Sequence, residues 1–258
     1  MAAGLTPGNQ VTVPGGGGNN LGGSVVPAQG IYEESSTAKH PLGSRLQIGG
    51  RVFYYSQASE ALSAGKLNTY FPTVITEDTV TVAHAIGTRK VSVTASATVV
   101  ANELAEGYLI VDEGTGAGEM YKIKSHPAIT STAVGVFELY DPILTAWAIA
   151  DTDVTLYGSP WRVRESNTAQ TESAAGVSQV SVTDEYYFWN QTYGFCQVLF
   201  DEAAGNASGT RGLTIGSSTV GAVEAIDAIG ESFVGEVVQA AADEADAKYA
   251  LVDLKIRS

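Results

Sequence analysis

The stretch closest in appearance to a phosphate-binding loop is EGTGAGEMY, residues 113–121. Such a loop cradles phosphate with backbone N–H groups, and it needs a Lys-Ser/Thr ending that opens a helix. Neither is present here, so the glycines predict a hairpin turn. His40, His84 and His126 are far apart and form no i, i+4 pair of the kind a metal site uses. They are expected on the surface or satisfied in a core. Two acidic groups, Asp141 with Asp151 and Asp153, and Asp243 with Glu244 and Asp246, could hold calcium weakly from loops. Neither has the twelve-residue pattern with Gly at its sixth position, so solvated loops are expected. No Gly-x-Ser-x-Gly elbow is present, and no local motif ties a histidine to a nucleophile. A glycosidase-type carboxylate pair depends on three-dimensional spacing, about which the sequence is silent. Cys196 alternates with Val198 and Phe200 and reads as a small core hydrophobe; as the one cysteine it excludes an intrachain disulfide. The sequons at Asn190 and Asn206 carry little weight without a secretory signal. The expectation is a non-enzymatic chain with no cofactor and no metal.

The elements that would have to position any site centre on residues 184–200, DEYYFWNQTYGFCQVLF. Five rings fall within eight residues: Tyr186, Tyr187, Phe188, Trp189 and Tyr193. At period two, Tyr186 and Phe188 share one face, while Tyr187, Trp189 and Tyr193 share the other. A strand with rings on both faces is expected either to be core on both, or to meet a neighbouring subunit with one. Tyr187, Trp189 and Tyr193 are the candidate interface residues.

Composition narrows the function classes. Of 258 residues, 44% are hydrophobic and only 16% charged, below the roughly 25% charged usual for soluble proteins. Gly, Ser, Thr, Ala and Val are abundant, as in β-rich structural proteins. The net charge of −14 makes the chain a poor binder of nucleic acid and of anionic membrane, both of which attract Lys and Arg. No signal-like start and no apolar run approaching about 18 residues is present. Neither secretion by a simple signal nor a membrane span is therefore expected.

Residues 1–50 hold 12 of the 29 glycines and four of the eight prolines, and the first charged side chain is Glu33. Alone, such a segment cannot bury enough apolar area to offset its ordering entropy, and it reads as a tail or linker. Held on a partner, it becomes an extended arm, with Val11, Val13, Leu21, Val25 and Val26 as contacts. From residue 51 short β-branched runs alternate with turn residues. They include RVFYYSQ (51–57), TVITEDTVTVA (73–83), RKVSVTASATVVA (89–101), the GYLIVDEG/GEMYKIKS pair and KYALVDLKI (248–256). DPILTAWAIA predicts a short helical turn, and QAAADEADAK a loop. The spacing predicts all-β sandwich or barrel domains at 51–160 and 161–258, behind an extended Gly/Pro-rich arm at 1–50.

Three stretches in order carry a resemblance. The first is YEESSTAKHPLGSRLQIGGRVFYYSQASEALSAGKL (32–67). The second is GYLIVDEGTGAGEMYKIKSHPAI (107–129) with LYDPILTAW (139–147). The third is YYFWNQTYGFCQVL (186–199) with VGEVVQAAADEADAKYALVDLKI (234–256). Together they resemble tailed-bacteriophage virion proteins of the capsid decoration (cement) or head-associated type. The resemblance implies a β-rich protein made in the host cytoplasm and carried on the capsid exterior, commonly as a homotrimer. Its partners would be the major capsid protein and copies of itself. The glycine-rich start has no equivalent in the pattern. Low charge at contacts, a tethering arm and an acidic outer surface all suit that role. The alternative is a tail, fibre or surface module that stacks host glycan on exposed rings, and a third class is a polysaccharide hydrolase.

Overall fold

A computed structural model describes residues 10–12, 28–201, 212–238 and 248–258. Every regular element among them is a strand, seventeen in all, arranged in two sheets. DPILTAWAIA forms no helix, only a single turn at its end, where the Thr152 N–H donates to the Ala148 carbonyl at 3.3 Å. Before it lie bends and a bridge in which Trp147 and His84 exchange backbone hydrogen bonds, because burying the Trp147 ring outweighs the helix preference of its alanines.

The chain divides into two units, one of residues 1–71 with 161–258 and one of residues 72–160. Residues 51–71, expected in the first β domain, therefore belong with the last third of the chain. Residues 28–50, expected within the arm, likewise belong to the first unit. The first correction comes from long-range pairing of residues 52–57 with 187–193, the second from the packing of Gln29, Ile31 and Leu46 on that pair; local periodicity registers neither.

The inserted unit contains β5 (Val74–Thr79), β6 (Lys90–Thr94), β7 (Tyr108–Glu113), β8 (Met120–Ser125), β9 (Val134–Leu139) and β10 (Asp153–Tyr157). Their order is β5-β10-β7-β8-β9-β6, and a Val80–Val93 bridge brings the two ends together, so the sheet is rolled. Alternation does the work: Val91 and Val93 of β6 and Phe137 and Leu139 of β9 point inward with Leu109, Ile123 and Leu156. GTGAG makes the β7–β8 hairpin connection.

In the other unit, β3 (Arg51–Ala58), β4 (Leu67–Tyr70), β11 (Arg162–Glu165), β12 (Ala174–Ser178) and β13 (Tyr187–Leu199) form a closed ring. Its order is β3-β11-β4-β12-β13, with β13 returning to β3. Outside β3 lie β2 (Arg45–Ile48) and β1 (Gln10–Thr12). Beyond β13 come β17 (Tyr249–Lys255), β16 (Gly235–Val237), β14 (Gly212–Ile215) and β15 (Val223–Ala225). The thirteen-residue β13 serves both parts, pairing with β3 over residues 187–193 and with β17 over 193–199. The change of partner occurs at Gly194, whose φ is +83° and whose missing Cβ would lie 2.3 Å from the Gly50 carbonyl oxygen. Only glycine meets both conditions without strain.

Candidate interaction surface

The two halves of β13 meet different surroundings. In the first half, Tyr187 and Trp189 face Tyr55 and Phe53 of β3, and the lead-in segment closes over them. Gln29 makes that closure specific. Its Nε2 donates to the carbonyls of Glu33 (2.7 Å) and Tyr187 (2.8 Å), and its Oε1 accepts the Tyr55 hydroxyl (2.6 Å). Ile31, Leu46, Phe53, Tyr55 and Trp189 form one buried cluster. His40 packs against both Tyr55 and Trp189, at ring distances of 5.2 and 5.1 Å, and burial lowers its pKa.

This corrects the interface assignment. Trp189 is 0% exposed and Tyr187 is half-buried; this chain's own residues 29–48 occupy the place expected for a neighbouring subunit. Val11 lies in β1 opposite Leu46 of β2. Val13, Leu21, Val25 and Val26 lie outside the described residues, as do Asp243, Glu244 and Asp246.

In the second half, alternation separates Cys196 and Val198, which face the core, from Tyr193, Phe195 and Gln197, which face outward. β17 alternates likewise: Val252 and Leu254 are buried, while Tyr249, Leu251, Asp253 and Lys255 face out. Register sets Phe195 beside Asp253 and Gln197 beside Leu251, with Glu236 of β16 beyond Asp253. Phe195 is 60% exposed, Leu251 52%, Tyr249 46% and Tyr193 38%, and Val238 just past β16 is exposed with them. With aromatic side chains spanning roughly 150–250 Å² each, these five expose on the order of 400 Å² of apolar surface. A shallow depression of about 360 Å³ lies beside Phe195, lined by Ile48, Gly50, Arg51, Tyr193 and Asp253. Lys255 Nζ bridges Glu236 at 3.0 Å and approaches Asp253 at 3.9 Å, and the Glu236 hydrogen bond raises its pKa.

Of the outward positions on β13 and β17, Tyr193 is among the interface residues expected from sequence, whereas Phe195 and Leu251 are not. The signal for both is present in the sequence: Phe195 shares the parity of Tyr193 and Gln197, and Leu251 that of Asp253 and Lys255.

The candidate chemical groups are structural. His84 Nε2 accepts the Ser92 N–H at 3.0 Å and His126 Nε2 accepts the Leu104 N–H at 2.9 Å. Burial lowers the pKa of both, so each ring is held neutral. Asp151 Oδ2 accepts the backbone N–H (2.9 Å) and hydroxyl (2.6 Å) of Thr115 in the glycine turn. These bonds fix the turn and hold the Asp151 carboxyl below its ordinary pKa. Burial pushes the Cys196 thiol up to about 12. Among the described residues, no group of three or more His, Cys, Asp or Glu is placed to hold a metal ion.

Outside this face Tyr32 and Phe233 also stand exposed, while other rings are engaged. Tyr54 stacks on Trp161 at 4.7 Å and 9°, and the Arg257 guanidinium lies over both rings at 5.7 and 5.3 Å. The outward face of β13 and β17 can bury apolar surface against a protein partner. Comparison with known proteins returns no matching protein family, curated protein or solved structure.

Proposed function

We propose that this chain is a non-enzymatic virion structural protein that binds the outside of a tailed-phage capsid and stabilises it. Its contacts in this reading are the major capsid protein and copies of itself as a homotrimer. The observation that carries the reading is the outward face of β13 and β17, where Tyr193, Phe195, Tyr249 and Leu251 stand exposed on a sheet whose opposite face is core. A patch of this size matches the largest apolar patch of a typical folded monomer, which is often functional, and it suits a protein contact. The three-part resemblance and the charge of −14 support an outer, DNA-remote position. The glycan-module alternative rests on the same exposed Tyr193, Phe195 and Tyr249 rings; the Tyr54–Trp161 stack adds nothing to it, because it already carries the Arg257 guanidinium. Co-sedimentation of the purified chain with empty phage shells tests the reading. Stoichiometric pelleting at saturation is expected; a chain left in the supernatant at every shell concentration overturns it.

A further inference from the structure

Building on the structural-protein reading, we propose that the outward face of β13, β17 and β16 is the surface by which copies of this chain meet one another. Charge is the first reason. Two copies carrying −14 each repel wherever their surfaces share that excess, and a homotypic contact is favoured where it is absent. Among the described residues of this face, Lys255 and Arg51 stand against Asp253 and Glu236, a formal balance of zero. Lys255 lies between the two carboxylates, and Arg51 and Asp253 line the same depression.

Shape and size point the same way. The exposed Phe195 ring projects beside a depression of about 360 Å³ on its own face. A knob and a hollow side by side on one surface let each copy seat its ring in the hollow of the next, the head-to-tail contact that closes a three-fold ring. The apolar surface, on the order of 400 Å², is about half of the roughly 800 Å² per partner in a standard interface, and the surrounding polar rim supplies the remainder. Leu251 and Val238 are aliphatic and offer no ring for a sugar to stack on, which favours a protein occupant. Truncating a central aromatic anchor of such a contact costs at least about tenfold in affinity.

Light scattering on the full chain from about 1 to 100 µM tests this with the wild type, Phe195→Asp, Leu251→Asp and Ile229→Asp; shell co-sedimentation is run in parallel. Ile229 is fully exposed on another loop of the same unit and serves as the control. The wild type and Ile229→Asp are expected above monomer mass, and the two face variants at monomer mass with unchanged circular dichroism. Hydrogen exchange of the wild type supplies a readout that needs no variant: amides of 193–198 and 249–255 are expected to slow as concentration rises. A wild type that is monomeric at 100 µM, or face variants that keep the wild-type mass, overturns the proposal. A monomeric wild type whose shell pelleting is lost in Phe195→Asp assigns the face to the shell protein, which overturns this inference and leaves the function standing. Self-association without pelleting does the reverse.

Discussion

The indole N–H of Trp189 donates to the backbone carbonyl of Gln29 at 2.8 Å, across 160 positions of chain. That bond, with the three made by the Gln29 side chain, turns a polar and glycine-rich lead-in into part of a core. It also gives residues from 28 onward a purpose in the core, distinct from the arm purpose expected of residues 1–50.

Two truncations separate those purposes. Removing residues 1–27 leaves Gln29 and Ile31 in place and is expected to shift the thermal midpoint by no more than a few degrees. Removing residues 1–31 takes away the acceptors of the Tyr55 O–H and the Trp189 N–H and exposes the ring cluster, at about 3–5 kcal/mol. The midpoint should then fall by roughly 6–20 °C for a chain of this size. Trp fluorescence during thermal unfolding reads both, and equal midpoints would contradict the role given to Gln29.

Gly194→Ala places a methyl group against the Gly50 carbonyl at a φ of +83°. The expected loss is about 2–3 kcal/mol. Gly50→Ala is the companion variant, since a Cβ there meets nothing within 4 Å, and it should be close to neutral. Urea midpoints for the pair check the contrast; similar values would mean that β13 changes partner by some other means.

The inserted unit should lose stability in mild acid. His84 and His126 are neutral and accept backbone N–H groups, with pKa values lowered mainly by burial; the Pro127 carbonyl and Glu103 push His126 the other way more weakly. The unfolded chain therefore takes up protons first as pH falls through about 6.5. Stability is full above that value and declines below it until the folded-state pKa values are reached, by up to roughly 1.4 kcal/mol per histidine for each unit of depression. Unfolding midpoints at pH 7.5 and 5.0 measure the loss. His84→Gln should flatten part of the slope, and an unchanged slope would remove His84 as a cause.

Cys196 should be inert while the chain is folded. Its thiol is buried and its pKa is pushed up to about 12, so thiolate is scarce at neutral pH. An aromatic disulfide reagent is expected to label it only at the rate of unfolding. Rapid native labelling would show that the outer sheet opens locally.

Much of the fold is legible in the residues. The β-branched alternation that places Val91 and Val93 inside β6, and the glycine turn joining β7 to β8, come from local pattern alone. Partnership is what pattern cannot supply. β3 pairs with β13 across more than half the chain, so residues 51–57 look like the start of one domain when they complete another. Rings on both sides of β13 do signal cover on both faces, but the cover on Trp189 comes from Gln29, Ile31 and Leu46, in a segment whose composition resembles a linker. The exposed patch shows the opposite case, because the parity of Phe195 and Leu251 is readable but is outweighed by the density of rings upstream.

The inserted unit begins and ends at neighbouring points of one ladder. β4 and β11 are antiparallel partners, with Tyr70 opposite Val163, and the Phe71 N–H donates to the Arg162 carbonyl at 2.9 Å. The chain thus departs and returns where a short turn would suffice, which is the geometry of an exchangeable cassette. A lineage could lengthen, replace or delete residues 72–160 without breaking a rung of the host sheet, and so vary what it displays while keeping the seat that displays it.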